Sequence, residues 1–291
     1  MSRSARLGAA LGINLALSVG LILAGRAAHS TSLVADAGHN LTDAMALVLA
    51  LTASLLVSRP PSPRRTFGWS RASTLAALAN GVVLVIVTVG IAVMAIGRLV
   101  HPRAVEGGIV LIAALVSLLL NLGVVRLLSD HRHDLGVRSA LVHAVGDALS
   151  GGVVALAGLI ALVASGPLAV RVDPIASLIV AALIVVEALR VTGASLHVLL
   201  EGVPTGVDLT EVDQVLRGLD EVLDIHDLHV WSISSSSNAL SAHLVVSGDA
   251  SIESTRPLLI EMRRLLAEQF GIDHATVELE TAGGCGHDHP C

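Results

Sequence analysis

The chain has 291 residues, of which 53% are hydrophobic and 14% are charged, and its formal net charge is −6 at pH 7. A typical soluble domain is about 25% charged, so this composition excludes a fully soluble protein and predicts one that lies in a lipid bilayer. No run of basic residues is long enough to predict a nucleic-acid partner.

Six stretches of about 20 apolar residues, the length that crosses the hydrocarbon core of a bilayer, follow one another along the chain. We predict transmembrane helices at 7–25, 33–57, 74–97, 107–128, 138–164 and 174–199. The first stretch also resembles a secretory signal peptide, but it is long for one, and we expect an uncleaved span. Arginine is enriched on one side of the spans, which by the positive-inside rule predicts that both termini are cytoplasmic.

Ionisable side chains interrupt the second span, "SLVADAGHNLTDAMALVLALTASLLV", at Asp36, His39 and Asp43. Each costs about 2.5 to 3.5 kcal/mol at the centre of a transmembrane helix, so such groups mark ion sites or proton relays. His39 and Asp43 are four residues apart and share one helix face. Asp36 either orients an imidazole of the site or pairs with a basic group.

The fifth span repeats this spacing in "SALVHAVGDALSGG", where His143 stands four residues before Asp147. If the two helices pack together, two imidazoles and two carboxylates converge, a ligand set that suits tetrahedral zinc. Small residues around both pairs predict a close approach of the two helices. The His-Glu-x-x-His motif of zinc proteases is absent, so we predict a protein that is not an enzyme rather than an intramembrane hydrolase.

The sixth apolar stretch follows Asp173-Pro174, which predicts a helix that is capped by Asp173 and has Pro174 as its first residue. Beyond Glu201, charged residues recur every few positions. We predict the order αββαβ from five patterns in this region. A helix follows Asp208, two strands alternate in "DIHDLHVWSIS" and "ALSAHLVVSG", an amphipathic helix ends at Gly271, and a final strand lies in "HATVELE". We predict a C-terminal α+β ferredoxin-like domain with helices on one face of a small antiparallel sheet.

Three regions follow from these patterns: an all-α membrane domain of six transmembrane helices at 1–200, the ferredoxin-like cytoplasmic domain at 201–281 and a flexible tail at 282–291. The tail sequence "CGHDHPC" contains Cys285, His287, His289 and Cys291. These residues supply two thiolates and two imidazoles, so one interpretation of the tail is an arm that captures metal. The other interpretation is a disordered tail that binds no ligand. A shorter group, His131, His133 and Asp134, is expected in a solvated loop.

Several segments, in order, resemble the cation diffusion facilitator family of divalent-metal/proton antiporters. They are "HSTSLVADAGHNLTDAMALVLALTASLL", "RRTFGWSRASTLAALANG", "LVHAVGDALSGGVVALAGLI", "DPIASLIVAALI" and "DIHDLHVWSI". The resemblance covers nearly the whole chain and implies a homodimer with six spans and a cytoplasmic ferredoxin-like domain in each subunit. It also implies a transport site at His39, Asp43, His143 and Asp147, where two histidines and two aspartates go with zinc and often with cadmium.

The resemblance further implies a cytoplasmic zinc site at four positions: His226, His243, Glu278 and Glu280. Some relatives have His and Asp where this chain has the two glutamates, so a solvated strand face is the alternative. His229 lies three residues after His226, and the two-residue period of a strand predicts that it points to the opposite face.

We therefore expect Zn²⁺ export from the cytosol in exchange for H⁺, across the inner membrane of a bacterium. Metal binding needs neutral imidazoles and ionised carboxylates, so zinc entry and proton release are linked. Zn²⁺ is the expected transported ion and a regulatory ion if the cytoplasmic site binds it, with Cd²⁺, Co²⁺ and Fe²⁺ as alternative cargoes. A passive divalent-cation channel and a membrane-bound metal sensor are the alternative functions.

Overall fold

The computed structural model describes residues 3–129, 135–234, 237–247, 251 and 253–281. Two groups of residues discussed above lie outside the described residues. These are the tail residues Cys285, His287, His289 and Cys291, and the loop residues His131, His133 and Asp134.

Six helices form the N-terminal part of the chain: α1 (Arg3–Ala27), α2 (Thr31–Val57), α3 (Ala72–Val100), α4 (Gly107–Ser129), α5 (Leu135–Val163) and α6 (Pro167–Leu199). Among the described residues, five of these helices, α2 to α6, contain a stretch that is long and apolar enough to cross a membrane. In α1 the corresponding apolar stretch is shorter, Asn14–Ala27. Five predicted spans are thus supported, and the span at 7–25 stays a prediction.

Helix α6 begins earlier than its sequence predicts. The Asp173-Pro174 pair was expected to start the helix, but α6 begins at Pro167 and contains Pro174 in its interior. The prediction was wrong because the carboxylate of Asp173 finds its hydrogen-bond donors on another helix. The residue is only 2% exposed and lies against the first residues of α2.

Asp173 adds to the cap of helix α2, where the hydroxyl of Ser30 already accepts a hydrogen bond from the N–H of Leu33 at 3.1 Å. Its carboxylate oxygens accept hydrogen bonds from the backbone N–H of Thr31 at 2.7 Å and of Ser32 at 3.3 Å. The hydroxyls of Ser30, Thr31 and Ser32 donate to the same carboxylate at 2.5, 2.8 and 2.6 Å. Because the first N–H groups of a helix have no partner within it, this arrangement satisfies α2 and ties α6 to its first turn.

Two glycines allow a close backbone contact between α4 and α5. A Cβ atom added to Gly158 would lie 2.6 Å from the backbone nitrogen of Leu111, and one added to Gly107 would lie 2.5 Å from that of Leu162. The small residues near the predicted metal ligands have other surroundings: a Cβ on Gly38 would meet Val87 of α3 at 3.4 Å, and one on Gly146 would meet nothing within 4 Å. Gly38 and Gly146 therefore do not lie at a contact between α2 and α5, and the prediction for the alanines beside them stays a prediction.

The C-terminal part contains α7 (Leu209–Arg217), β1 (Asp224–Ser234), β2 (Ser237–Val246), α8 (Arg256–Phe270) and β3 (Ile272–Thr281). This is the predicted order αββαβ. Asp208 caps α7 as predicted, because its side chain accepts a hydrogen bond from the N–H of Thr210 at 2.8 Å. Gly271 ends α8 in the left-handed conformation with φ 63°, which favours glycine.

The three strands lie in the order β1-β2-β3, with β1 antiparallel and β3 parallel to β2. The sheet is therefore mixed, and the antiparallel prediction was wrong for β3. The reason is that α8 carries the chain back across the sheet between β2 and β3, as a parallel pair requires. Apolar side chains of both helices pack on the sheet and form the core, which includes Val212, Leu216, Leu240, Leu244, Leu258, Met262 and Leu266.

Candidate metal centre

Four predicted ligands from α2 and α5 come together in the helical part of the protein. The Nε2 atom of His39 lies 3.0 Å from Oδ1 of Asp147 and 3.7 Å from Oδ2 of Asp43. The Nε2 atom of His143 lies 3.5 Å from Oδ2 of Asp43 and 3.7 Å from Oδ2 of Asp147. Each imidazole therefore faces both carboxylates, one on its own helix and one on the other.

These separations can be compared with the geometry of a bound ion. Zinc bonds of about 2.0 Å in a tetrahedron put neighbouring ligand atoms about 3.3 Å apart. The four nitrogen–oxygen separations, from 3.0 to 3.7 Å, lie on both sides of that value. His39, Asp43 and Asp147 offer three ligand atoms that all lie within 4.8 Å of one another, a group that does not include His143. Asp147 faces His39 through Oδ1 and His143 through Oδ2, so His143 would have to move inward to complete a tetrahedral set.

Burial differs across this group, which we call the α2–α5 cluster. The side chains of His39, Asp43 and Asp147 are 4%, 15% and 16% exposed, and that of His143 is 37% exposed. Two carboxylates held this close in a protein interior repel each other and lose hydration, so a cation or a shared proton stabilises them. His143 is the most exposed of the four side chains.

Asp36 takes neither of its two predicted roles. The residue is 1% exposed, and its Oδ2 atom accepts a hydrogen bond from the hydroxyl of Ser117 on α4 at 3.0 Å. It is bonded neither to an imidazole nor to a basic group within the described part of the chain. The Nδ1 atom of His39 is buried without a hydrogen-bond partner among those residues.

Glu187 of α6 joins the cluster and was missed by the sequence analysis. Its Oε1 atom lies 3.0 Å from Nδ1 of His143. A carboxylate that accepts a hydrogen bond from Nδ1–H fixes the imidazole tautomer and leaves Nε2 free to bind a metal. The signal was present in the sequence, because Glu187 is a lone acid in the apolar run "IVAALIVVEALR". An ionisable residue in a transmembrane helix has a high free-energy cost, which makes Glu187 a candidate functional residue by the same argument as Asp36 and Asp43.

A second cluster lies in the C-terminal domain, where His226, His243 and Glu280 offer ligand atoms within 4.8 Å of one another. Glu280 lies 3.1 Å from Nε2 of His226 through one oxygen and 2.6 Å from Nδ1 of His243 through the other. Glu278, the fourth predicted ligand, is 69% exposed and lies 3.9 Å from His243. The structure thus brings three of the four predicted residues together and leaves Glu278 at the edge.

A bulge in β1 adds two further residues to this second cluster. The strand register shifts between His226, opposite His243, and His229, opposite Ser241. Three steps on β1 therefore match two on β2, so His229 faces the same side as His226, and the predicted opposite orientation was wrong. At the bulge Asp227 has φ 52°, and its carboxylate lies 2.6 Å from His229 and 3.6 Å from His243.

The hydrogen bonds of this second cluster shift the acidity of Glu280. Desolvation raises the pKa of its carboxyl group, but the hydrogen bonds to His243 and His226 outweigh it and hold the pKa below its ordinary value. Glu280 therefore stays ionised at neutral pH between the two imidazoles. An ionised carboxylate flanked by imidazole nitrogens is a chemically suitable start for a zinc site.

Comparison with known proteins places these two clusters in a family context. Residues 7–200 match the family model described as the cation efflux transmembrane domain, and residues 204–282 match the one described as the cytoplasmic domain of cation efflux proteins. A "Cadmium, cobalt and zinc/H(+)-K(+) antiporter" of Bacillus velezensis is 35% identical, over 90% of this chain and 82% of its own length.

The chain is also similar to a second transporter and to one solved structure. "Zinc transporter ZitB" of Escherichia coli is 34% identical, over 96% of this chain and 92% of its own length. A solved structure, the metal-bound C-terminal domain of the CzcD transporter from Cupriavidus metallidurans, is 34% identical over 25% of this chain and 99% of its own, with a TM-score of 0.23. The match of two thirds of the chain to one family model shows that this integral, multi-pass membrane protein belongs to the cation efflux family, also called the cation diffusion facilitator family.

Proposed function

We propose that the protein exports Zn²⁺ from the cytosol in exchange for H⁺, with the α2–α5 cluster as the transport site. The observation that carries this proposal is the convergence of two imidazoles and two carboxylates at separations of 3.0 to 3.7 Å, close to the edges of a zinc tetrahedron. Names of relatives that include zinc transport and H⁺ antiport support it.

The exchange follows from the chemistry of the ligands. Zinc binds ionised carboxylates and neutral imidazoles, so its arrival displaces protons from the cluster and its departure lets them return. Asp147 lies 3.0 Å from Nε2 of His39, and Asp43 lies 3.5 Å from Nε2 of His143, so each carboxylate is within reach of a proton on the other helix's imidazole. Protons can therefore hold the same four groups together when the metal is absent, which is the condition for an exchanger rather than an open path.

The ligand types favour zinc over its competitors. Imidazole and carboxylate suit Zn²⁺ and related divalent ions, whereas soft Cu⁺ prefers thiolate or thioether ligands, and the cluster has neither. Cd²⁺ and Co²⁺ are secondary cargoes in this proposal, as the name of the Bacillus velezensis relative includes both.

The wider architecture belongs to the same proposal. Six spans at 1–200 form the transport domain, a ferredoxin-like domain at 201–281 lies in the cytoplasm, and the tail at 282–291 captures metal. The protein acts as a homodimer in the bacterial inner membrane with both termini in the cytoplasm. His226, His243 and Glu280, with Glu278 at the edge, bind a regulatory zinc ion.

Zinc-driven proton movement in sealed vesicles that contain the purified protein tests this function. We expect proton release that requires zinc in the wild type, its loss in Asp147→Ala and its retention in Glu106→Gln, a matched change of an exposed carboxylate outside the cluster. Zinc movement without a pH change would favour the passive channel instead. Tightly bound zinc without any flux would favour the membrane-bound sensor.

A further inference from the structure

A basic cavity lies at one end of the helical part, where α1 ends, α2 begins and α3 ends. It measures about 570 Å³, within the range of about 300 to 1,000 Å³ that small-molecule sites occupy. Three arginines line it, Arg26, Arg98 and Arg103, together with His29 and His101. No carboxylate is among its lining residues, so the cavity concentrates positive charge.

The three arginines have no acidic partner in the described part of the chain. Ion pairs of arginine there involve Arg71, Arg217 and Arg264, all outside the cavity. Arg26 and Arg103 are exposed and solvated, but three guanidinium groups that line one cavity repel one another and attract an anion. The charge of the cavity therefore favours the binding of an anionic ligand.

Arg98 supplies a second, independent observation. Its Nη2 atom donates a hydrogen bond to the backbone carbonyl of His29, which fixes the side chain against the wall of the cavity. Its Nη1 atom is buried and has no hydrogen-bond partner among the described residues. Buried polar atoms are nearly always bonded, so an unpaired guanidinium nitrogen marks the place of a missing acceptor.

The nearest buried carboxylate does not fill this role. Asp173 lies behind Ser30 and Thr31, and its oxygens already accept five hydrogen bonds from the first turn of α2. It does not line the cavity. Its charge is therefore already stabilised by donors other than the three arginines.

We propose that this cavity binds a phosphate group, and that an anionic phospholipid of the surrounding bilayer supplies it. Guanidinium groups bind phosphate oxygens in a bidentate manner and are the preferred partners of phosphate in proteins. Arginine side chains close to a membrane surface are attracted to anionic lipids. The inference stands apart from the transport proposal, because it uses none of the residues of the α2–α5 cluster.

The position of the cavity favours a lipid over a free phosphate ion. The apolar helices α1 and α3 end beside it, at Ala27 and Val100, so it lies at the level of the headgroups. Val34 and Met94 form an apolar part of its lining, against which an acyl chain can pack. A free phosphate ion would use the arginines but leave this apolar wall without a partner.

The test uses the full-length protein in a detergent with an uncharged headgroup and follows its thermal unfolding temperature. The probes are short-chain phosphatidylglycerol, short-chain phosphatidylcholine and inorganic phosphate. Because a ligand that binds only the folded state stabilises it, we expect a saturable rise with phosphatidylglycerol alone. Arg98→Gln and Arg103→Gln should each raise the half-saturating concentration about tenfold, as loss of one charge-assisted contact does.

Two further variants separate binding from folding. Arg171→Gln removes an exposed arginine outside the cavity and should bind phosphatidylglycerol like the wild type. Gly97→Leu keeps every charge but adds bulk to the cavity lining, where a Cβ atom meets nothing within 4 Å, and should block the lipid. If Arg98→Gln does not fold, Arg103→Gln and Gly97→Leu still test the proposal.

The outcomes are distinct. Saturable stabilisation by inorganic phosphate that is lost in Arg98→Gln, with none from phosphatidylglycerol, would keep the phosphate site and assign it to the free ion. Equal stabilisation of all variants by phosphatidylglycerol, or no saturable effect of either probe on the wild type, would overturn the proposal.

Discussion

Replacing Glu187 with leucine is expected to weaken zinc binding at the α2–α5 cluster without removing any of its four ligands. Glu187 touches the cluster only through His143, whose Nδ1 atom lies 3.0 Å from the glutamate Oε1. Leucine cannot accept a hydrogen bond from Nδ1–H of His143. The imidazole of His143 is then free to rotate and to carry its proton on Nε2, the atom that faces Asp43 and Asp147.

The size of the effect follows from exposure. Removing the hydrogen-bond partner of a metal-binding histidine weakens metal affinity by about 10-fold to 100-fold. The side chains of His143 and Glu187 are 37% and 41% exposed, so water partly replaces the lost contact, and we expect about tenfold, near the lower end. Glu187→Gln, whose amide oxygen still accepts a hydrogen bond, should lose about threefold, because only the charge is removed.

The assay is zinc transport in vesicles at a fixed pH, with KM and kcat measured separately. We expect KM to rise in the order wild type, Glu187→Gln, Glu187→Leu, while kcat changes little, since the ligands that bind the ion in every state remain. Glu106→Gln serves as the control. A KM for Glu187→Leu equal to that of the wild type would refute the positioning role of this residue, and equal losses in both variants would refute the role of hydrogen bonding.

Three other changes have expected outcomes. Asp173→Ala leaves the N–H groups of two residues at the start of α2 without an acceptor and should destabilise the protein by about 3 kcal/mol, seen as a lower unfolding temperature than in Asp173→Asn. Gly158→Ala forces a methyl group against the backbone of α4 and should cost about 1 to 3 kcal/mol, whereas Gly152→Ala meets open space and should be neutral. Because the pKa of Glu280 is lowered in the folded domain, its stabilisation is present above the ordinary glutamate pKa and is lost as the pH falls through the lowered value. The protection factors of the β3 amides, which are exchange rates corrected for the intrinsic rate at each pH, should therefore fall on acidification in the metal-free protein, and less so in Glu280→Gln; an identical acid response in both proteins would contradict this.

Local patterns predicted the features of this protein that depend on one helix or one strand. Apolar length located α2 to α6, and the spacing of four residues placed His39 with Asp43 and His143 with Asp147 on common helix faces. The αββαβ order followed from periodicity in the same way. These predictions succeed because the periods of a helix and a strand are fixed by backbone geometry.

Features that depend on a second element were missed. Asp173 was predicted to cap its own helix, since the sequence does not show that the hydroxyls of Ser30, Thr31 and Ser32 lie beside it. The bulge at Asp227 inserts one residue into β1 and reverses the expected side of His229. The role of Glu187 depends on where α6 packs against α5, which the spacing along one helix does not contain.

The bonds between Asp173 and the first turn of α2 also act as a mechanical joint. They fasten one end of α2 to α6, while His39 stands eight residues further along, about 12 Å from Thr31 at 1.5 Å per residue. A swing of about 10° around such a joint moves a side chain at that distance by about 2 Å, which is the length of one zinc bond. A helix held at one end in this way can change the distance between its candidate ligands and those of α5 by tilting as a rigid lever, with no need to unwind or to slide.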